Sequence, residues 1–124
     1  MATKAPFLTT TYGGYYHRDV PQEDEELTHV GPGTPCGEWF RRFWLPVVVS
    51  DELKDLPLRI KILGEDLVVF RDKRGHVGLL ELHCSHRGTS LEYGKIEEHG
   101  IRCCYHGWVF DVNGRILDTP GEPA

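Results

Sequence analysis

Positive charge is scarce in this sequence: fourteen Lys and Arg stand against nineteen Asp and Glu, a net charge of -5. That balance excludes a general binder of nucleic acid or of anionic membranes, which needs a basic field. No apolar run approaches the roughly 20 residues of a transmembrane helix. The first ten residues hold one Lys and no apolar stretch of a secretory leader. No internal repeat is visible, and the only helix candidate is a turn at residues 50–53, where Ser50 or Asp51 would cap. These absences leave a cytoplasmic protein with neither membrane nor nucleic-acid partners as the expectation. What is present suffices for one domain: 124 residues, 40% hydrophobic and 27% charged, bury a core without disulfide staples. Four Cys among seven His in a reducing compartment point to metal before disulfide.

Two regions differ in composition. Residues 1–38 are rich in Thr, Tyr and Gly, then acidic from Glu23 to Glu26, then Gly31-Pro32-Gly33-Thr34-Pro35, and read as an extended arm. Tyr12, Tyr15 and Tyr16 are expected to lie against the surface of the protein. From Trp39 onward, short β-favouring runs alternate with turn residues. Strands are expected at residues 45–49, 58–63, 67–70, 77–82, 95–97, 101–103, 108–111 and 115–117, with Asn113-Gly114 marking a tight hairpin. Short strands at this spacing predict a small all-β sandwich or barrel.

Two loops carry the chemistry: Cys84-Ser85-His86-Arg87-Gly88 and Cys103-Cys104-Tyr105-His106-Gly107-Trp108. Each follows a strand candidate and offers one Cys and one His. A single tetrahedral zinc accepts a Cys2His2 set, but this spacing is unlike the usual Cys-x2-4-Cys and His-x3-5-His hairpins. A two-iron two-sulfur cluster with one iron on two thiolates and the other on two imidazoles explains the mixed pairs better. Neutral imidazoles remove negative charge from such a cluster and raise its potential above that of an all-Cys ferredoxin. By strand alternation Cys104 points away from Cys103, and Cys36 lies in the arm, so both are read as free thiols. His83 neighbours the first loop as a supporting candidate; His17, His29, His76 and His99 read as surface residues.

The paired loops resemble the Rieske motif, over about residues 39–120. The resemblance implies a small Rieske-type antiparallel β-sandwich with two cluster-binding loops at hairpin ends. It implies that one 2Fe-2S cluster is held by Cys84 and Cys103 on the inner iron, and by His86 and His106 on the outer, more solvent-facing iron. Gly88 and Gly107 would let the backbone approach the bridging sulfides. Trp108, Tyr105 and Leu91 would exclude water. Respiratory Rieske proteins carry a disulfide between the loops; here Thr89 and Tyr105 occupy those positions. Those proteins also carry a Ser and a Tyr that hydrogen-bond the cluster sulfurs; with fewer such donors here, the potential is expected toward the low end of the Rieske range, about -150 mV.

Cys84-Ser-His-Arg-Gly-Thr-Ser-Leu-Glu-Tyr-Gly-Lys and Arg102-Cys-Cys-Tyr-His-Gly-Trp-Val-Phe-Asp are similar to the Rieske domain of ring-hydroxylating and O-demethylating oxygenases, especially the phthalate-oxygenase-like group. Trp39-Phe-Arg-Arg-Phe-Trp-Leu-Pro-Val-Val resembles its lead-in and Asp118-Thr-Pro-Gly-Glu-Pro its exit, whereas Ser85 and Cys104 stand where that family often has Pro. The resemblance implies single-electron transfer from a reductase or ferredoxin to a non-haem iron in a separate oxygenase catalytic domain, held by two His and a carboxylate. The chain has no such set, so residues 39–124 read as an electron-transfer domain, expected to belong to a longer oxygenase chain. A free-standing Rieske ferredoxin is the alternative reading, and a zinc-binding interaction module the third.

Overall fold

A computed structural model describes residues 23–123. Tyr12, Tyr15, Tyr16 and His17 lie outside the described residues. Seven short strands form two antiparallel sheets: β1 (Leu58–Ile62), β2 (Glu65–Arg71) and β3 (Val77–Glu81) in one, β4 (Lys95–Glu97), β5 (Gly100–Arg102), β6 (Val109–Phe110) and β7 (Ile116–Asp118) in the other. Each strand pairs with its neighbour in sequence, so every connection within a sheet is a local hairpin or loop. The all-β reading stands.

The first sheet is built around β2, where Val68, Val69 and Phe70 are fully buried in succession. A central strand covered on both faces needs an unbroken apolar run. Phe70 pairs with Gly78, and a Cβ on that glycine would lie 2.7 Å from the Phe70 ring. Gly78 therefore makes the room that Phe70 fills. The β1–β2 turn has Leu63 at φ 48° and Gly64 at φ 78°, positive angles at both central positions that match the right-handed twist of the flanking strands. In the second sheet the expected Asn113-Gly114 hairpin joins β6 to β7, with the Asp111 carboxylate accepting from the N–H groups of Asn113 and Arg115 at 2.8 Å each. Gly100 admits no substitute, because a Cβ there would sit 1.9 Å from the Phe110 carbonyl oxygen.

Three expectations need correction. Residues 45–49 form no strand; Val47 and Val49 are exposed with no partner to complete a ladder. The turn at Ser50–Glu52 is a 3-10 helix whose N-cap is Val49, without the side-chain cap expected of Ser50 or Asp51. Two short helices were not expected: α1 (Glu25–Thr28), capped by Asp24, and α2 (Pro35–Phe40), capped by Thr34 with Pro35 in the first turn. α2 lies close on the preceding chain, since a Cβ at Gly37 would fall 2.3 Å from the Gly31 carbonyl oxygen. Arg41 then fastens this region to the β1–β2 turn, donating to Glu65 at 2.6 Å and to the Leu63 carbonyl at 3.0 Å.

Both sheets share one core: Val68, Phe70 and Leu82 from the first side meet Ile96, Ile101 and Phe110 from the second. Cys84 and Cys103 belong to this same cluster. The core therefore ends in two thiols supplied by the loops that leave β3 and β5.

Candidate metal centre

The two loops close in the same way. In the first, the Cys84 N–H donates to the Thr89 carbonyl at 2.9 Å, and the Gly88 N–H donates back to the Cys84 carbonyl at 2.8 Å. In the second, the Cys103 N–H donates to Trp108 at 2.8 Å, and the Gly107 N–H to Cys103 at 3.2 Å. Gly88 and Gly107 hold φ at 72° and 80°. A residue with a Cβ resists that region, so the glycine four positions after each cysteine is what lets the chain turn back. His83 braces the first loop, its Nδ1 3.0 Å from the Gly88 carbonyl, and the His83 backbone bridges to Ser90.

The four sequence-predicted ligand residues come together as two pairs. Cys84 and Cys103 are both 4% exposed, whereas Cys104 is exposed and Cys36 half-buried. This split favours Cys103 over its neighbour as the inward sulfur. Burial pushes the Cys84 thiol up, the N–H groups of His86 and Arg87 pull it down, and the facing Cys103 thiol pushes it up again. A thiol pushed up in this way ionises readily when a cation takes the charge. His86 and His106 form the second pair, ring centroids 4.7 Å apart and nearly perpendicular. Among the described residues, no three His, Cys, Asp or Glu side chains gather around one point. Separate sulfur and imidazole pairs suit a two-iron cluster, in which each iron takes two protein ligands, better than one tetrahedral zinc.

An orphaned polar atom provides a further test of fit. The indole N–H of Trp108 is buried without a hydrogen-bond partner in the protein. Such a donor costs roughly 1–3 kcal/mol, and a sulfide-bearing group would bring acceptors to the site. The residues present thus fit a 2Fe-2S cluster in donor type, pairing and burial. Leu91 is buried, in line with a role in excluding water. Tyr105 is not: it is 64% exposed, with its ring over His106 at a centroid distance of 3.7 Å, so its cover is limited to that imidazole.

Sequence reasoning missed the surroundings of His86. Its ring lies flat on Trp108, 4.6 Å between centroids and 6° from coplanar, and its Nε2 is 3.3 Å from Glu122 Oε1. Arg102 was missed as well. It donates to both oxygens of Glu97 at 2.8 and 3.0 Å, to the Gly107 carbonyl at 2.6 Å and to Asp118 at 3.2 Å, tying the second loop to β4 and β7. No local pattern signals either arrangement: Trp108 and Glu122 are distant from His86 in sequence, and the Arg102 fork joins nearby Glu97 and Gly107 to distant Asp118. The remaining histidines are peripheral: His29 pairs with Glu23, His76 with Asp72, and His99 is exposed.

A family description, the Rieske 2Fe-2S domain, matches residues 43–124. The chain is 56% identical over 92% of its length to the tert-butanol monooxygenase / tert-amyl alcohol desaturase oxygenase subunit of Aquincola tertiaricarbonis, covering 25% of that protein. It is 51% identical over 99% of its length to the phenoxybenzoate dioxygenase subunit alpha of Ectopseudomonas oleovorans, covering 30% of it. Among solved structures, dicamba monooxygenase with non-heme iron and dicamba aligns with a TM-score of 0.61 at 31% identity, over 64% of this chain and 24% of that one. The chain spans between a quarter and a third of these curated relatives. No helix among the described residues is long and apolar enough to cross a membrane.

Proposed function

Because the chain belongs to the Rieske 2Fe-2S domain family, we propose that it is the electron-transfer domain of an oxygenase terminal component, with Cys84, His86, Cys103 and His106 as the cluster ligands. In this reading residues 39–124 form the cluster-carrying unit and residues 1–38 an arm, which holds the helical turn at 25–28 and joins the unit within the one at 35–40. The cluster, when bound, supplies a centre that takes one electron at a time from a reductase or ferredoxin and yields it to the non-haem iron of an oxygenase catalytic domain. The observation that carries the reading is the pairing itself: two buried thiols and two closely spaced imidazoles, one of each from two loops closed by matching hydrogen bonds.

The chain's own residues then have distinct tasks. Cys84 and Cys103 anchor the inner side within the apolar core, where water has no access to the thiolates. The N–H groups of His86 and Arg87 point at the Cys84 sulfur and stabilise negative charge there. His86 and His106 form the outer edge, next to a cleft of about 330 Å³ lined also by Arg87, Tyr105, Pro120 and Glu122. In this reading that edge is where a docked protein would exchange electrons with the cluster. Anaerobic iron and sulfide analysis with electron paramagnetic resonance tests the assignment. Two irons and two sulfides per chain, with a Rieske-type signal on reduction, are expected; a colourless, zinc-loaded protein would overturn it. The oxygenase part is tested in the source gene: a frame running on past the Ala124 codon to encode two His and a carboxylate at facial-triad spacing is expected, and a stop there would leave a free electron carrier.

A further inference from the structure

The two imidazoles are held unequally. His106 is exposed beneath Tyr105, and among the described residues no carboxylate lies within ion-pairing distance of it. The His86 side chain is only 17% exposed, with one face against Trp108 and its Nε2 3.3 Å from Glu122 Oε1. That contact puts a carboxylate within ion-pairing distance of the imidazole nitrogen, and only the ring can act as donor between the two, since a carboxylate has no hydrogen to give.

Glu122 reaches this place through an ordered path. Arg102 draws the Gly107 carbonyl and the Asp118 carboxylate onto one guanidinium, bringing the end of β7 beside the second loop. Pro120 follows against Gly107, where a Cβ would lie 3.5 Å from Pro120 Cγ. The chain then turns, with Gly121 at φ 82° and the Glu122 N–H donating to the Thr119 carbonyl at 3.1 Å. Residues 118–122 thus fold back over the loops, and the acid at the end of the turn meets the histidine of the first.

We propose that Glu122 is a positioning residue for His86: from the turn after β7 its carboxylate lies against the imidazole Nε2, restrains the ring on Trp108, and would place a negative charge at the cluster edge. The proposal rests on the reading of His86 as an iron ligand. Carboxylates behind ligating imidazoles orient the ring, and their removal typically costs 10–100-fold in metal affinity or activity. A fixed negative charge beside the cluster also favours its oxidised form, because reduction adds a further electron.

The test uses the cluster-loaded chain and reads midpoint potential and cluster retention, both independent of any oxygenase activity. Glu122→Gln keeps the shape and drops the charge, and Glu122→Ala removes the contact. Glu122 is 43% exposed at its side chain, so neither change removes a core residue. The expected result is a raised midpoint potential in both, larger in Glu122→Ala, with iron lost to a chelator about tenfold faster in the alanine variant. Glu98→Gln, an exposed acid in the turn between β4 and β5, serves as the charge control and leaves the potential in place. An unchanged potential in both Glu122 variants overturns the proposal, as does an equal shift in Glu98→Gln. A parent chain that takes up no cluster instead overturns the ligand reading and the proposal with it.

Discussion

The loop at residues 84–89 and the loop at residues 103–108 are closed by the same two hydrogen bonds and the same kind of glycine, yet their histidines have little else in common. The first loop carries Cys-x-His and the second Cys-x-x-His. His86 is stacked on Trp108 and capped by Glu122, while His106 faces solvent under Tyr105. The backbone frame is thus a repeated device set locally, whereas the surroundings of His86 come from residues distant in sequence and those of His106 from its own neighbour Tyr105. A near-symmetric backbone frame coexists with an asymmetric edge, closed around one histidine and open at the other.

Several changes would break or sharpen that comparison. The largest effect is expected within the second loop: Cys103→Ser should abolish the visible spectrum and the bound iron, while Cys104→Ser leaves both intact. A bleached Cys104→Ser protein would reverse the assignment of the inward sulfur. Next, His86→Cys and His106→Cys each restore thiolate charge, and any retained cluster should move toward the roughly -400 mV of all-Cys plant-type ferredoxins. Spectroelectrochemistry reads this directly, and an unchanged or raised potential sinks the account. Because Glu122 would face the new thiolate at position 86, the first variant should also retain less cluster than the second.

Smaller effects test the shared frame. Gly88→Ala and Gly107→Ala each place a Cβ at a positive φ, at a cost of about 1–2 kcal/mol in denaturant unfolding. The two should match closely, since the added Cβ meets nothing at Gly88 and only ordinary contacts with Pro120 and Arg102 at Gly107. A large gap between them would mean the frames differ in more than sequence. The smallest effect concerns pH. Hydrogen bonds from the Arg102 guanidinium hold the Glu97 carboxyl below the usual range, against the opposing effect of burial. A depressed carboxyl contributes its stability fully above its unfolded value of about 4.3 and loses it as pH falls through the lower, folded value. Glu97→Gln should therefore destabilise by about 1 kcal/mol at neutral pH, the gap from the parent closing in strong acid. Denaturant midpoints across pH would show it, and a gap that persists in acid would argue against the ion pair.

The sequence is most legible where chemistry and local pattern coincide. The Val-, Ile- and Leu-rich runs at 58–63, 67–70 and 77–82 became β1 to β3 within a residue or two, and the Cys and His spacing singled out two loops whose cysteines join the core and whose histidines lie side by side. The run at 45–49 has the same composition but no neighbouring strand, and β propensity is realised only on a pleated, partly buried surface. The helices were missed for the opposite reason. They are too short for apolar periodicity and depend on caps: Thr34 Oγ1 accepts from the Gly37 N–H at 3.2 Å, and Glu38 from the Gly33 N–H at 2.9 Å. Thr34-Pro35 with Glu38 close behind was a helix-start signal in plain view. The Glu122 contact had no comparable signal, because only the packing of β7 beside the second loop brings it to His86.

Arg102 has a consequence for inheritance. Its guanidinium serves Glu97, the Gly107 carbonyl and Asp118 at once, in a fork that a lysine ammonium cannot reproduce. Positions 97, 102 and 118 therefore act less as three characters than as one. A lineage that loses the arginine keeps two acids without their cation, and one that loses an acid leaves the fork half engaged. Among descendants of this chain, substitutions at these three sites should arrive together or hardly at all, and an alignment of many relatives would reveal them as a correlated triplet.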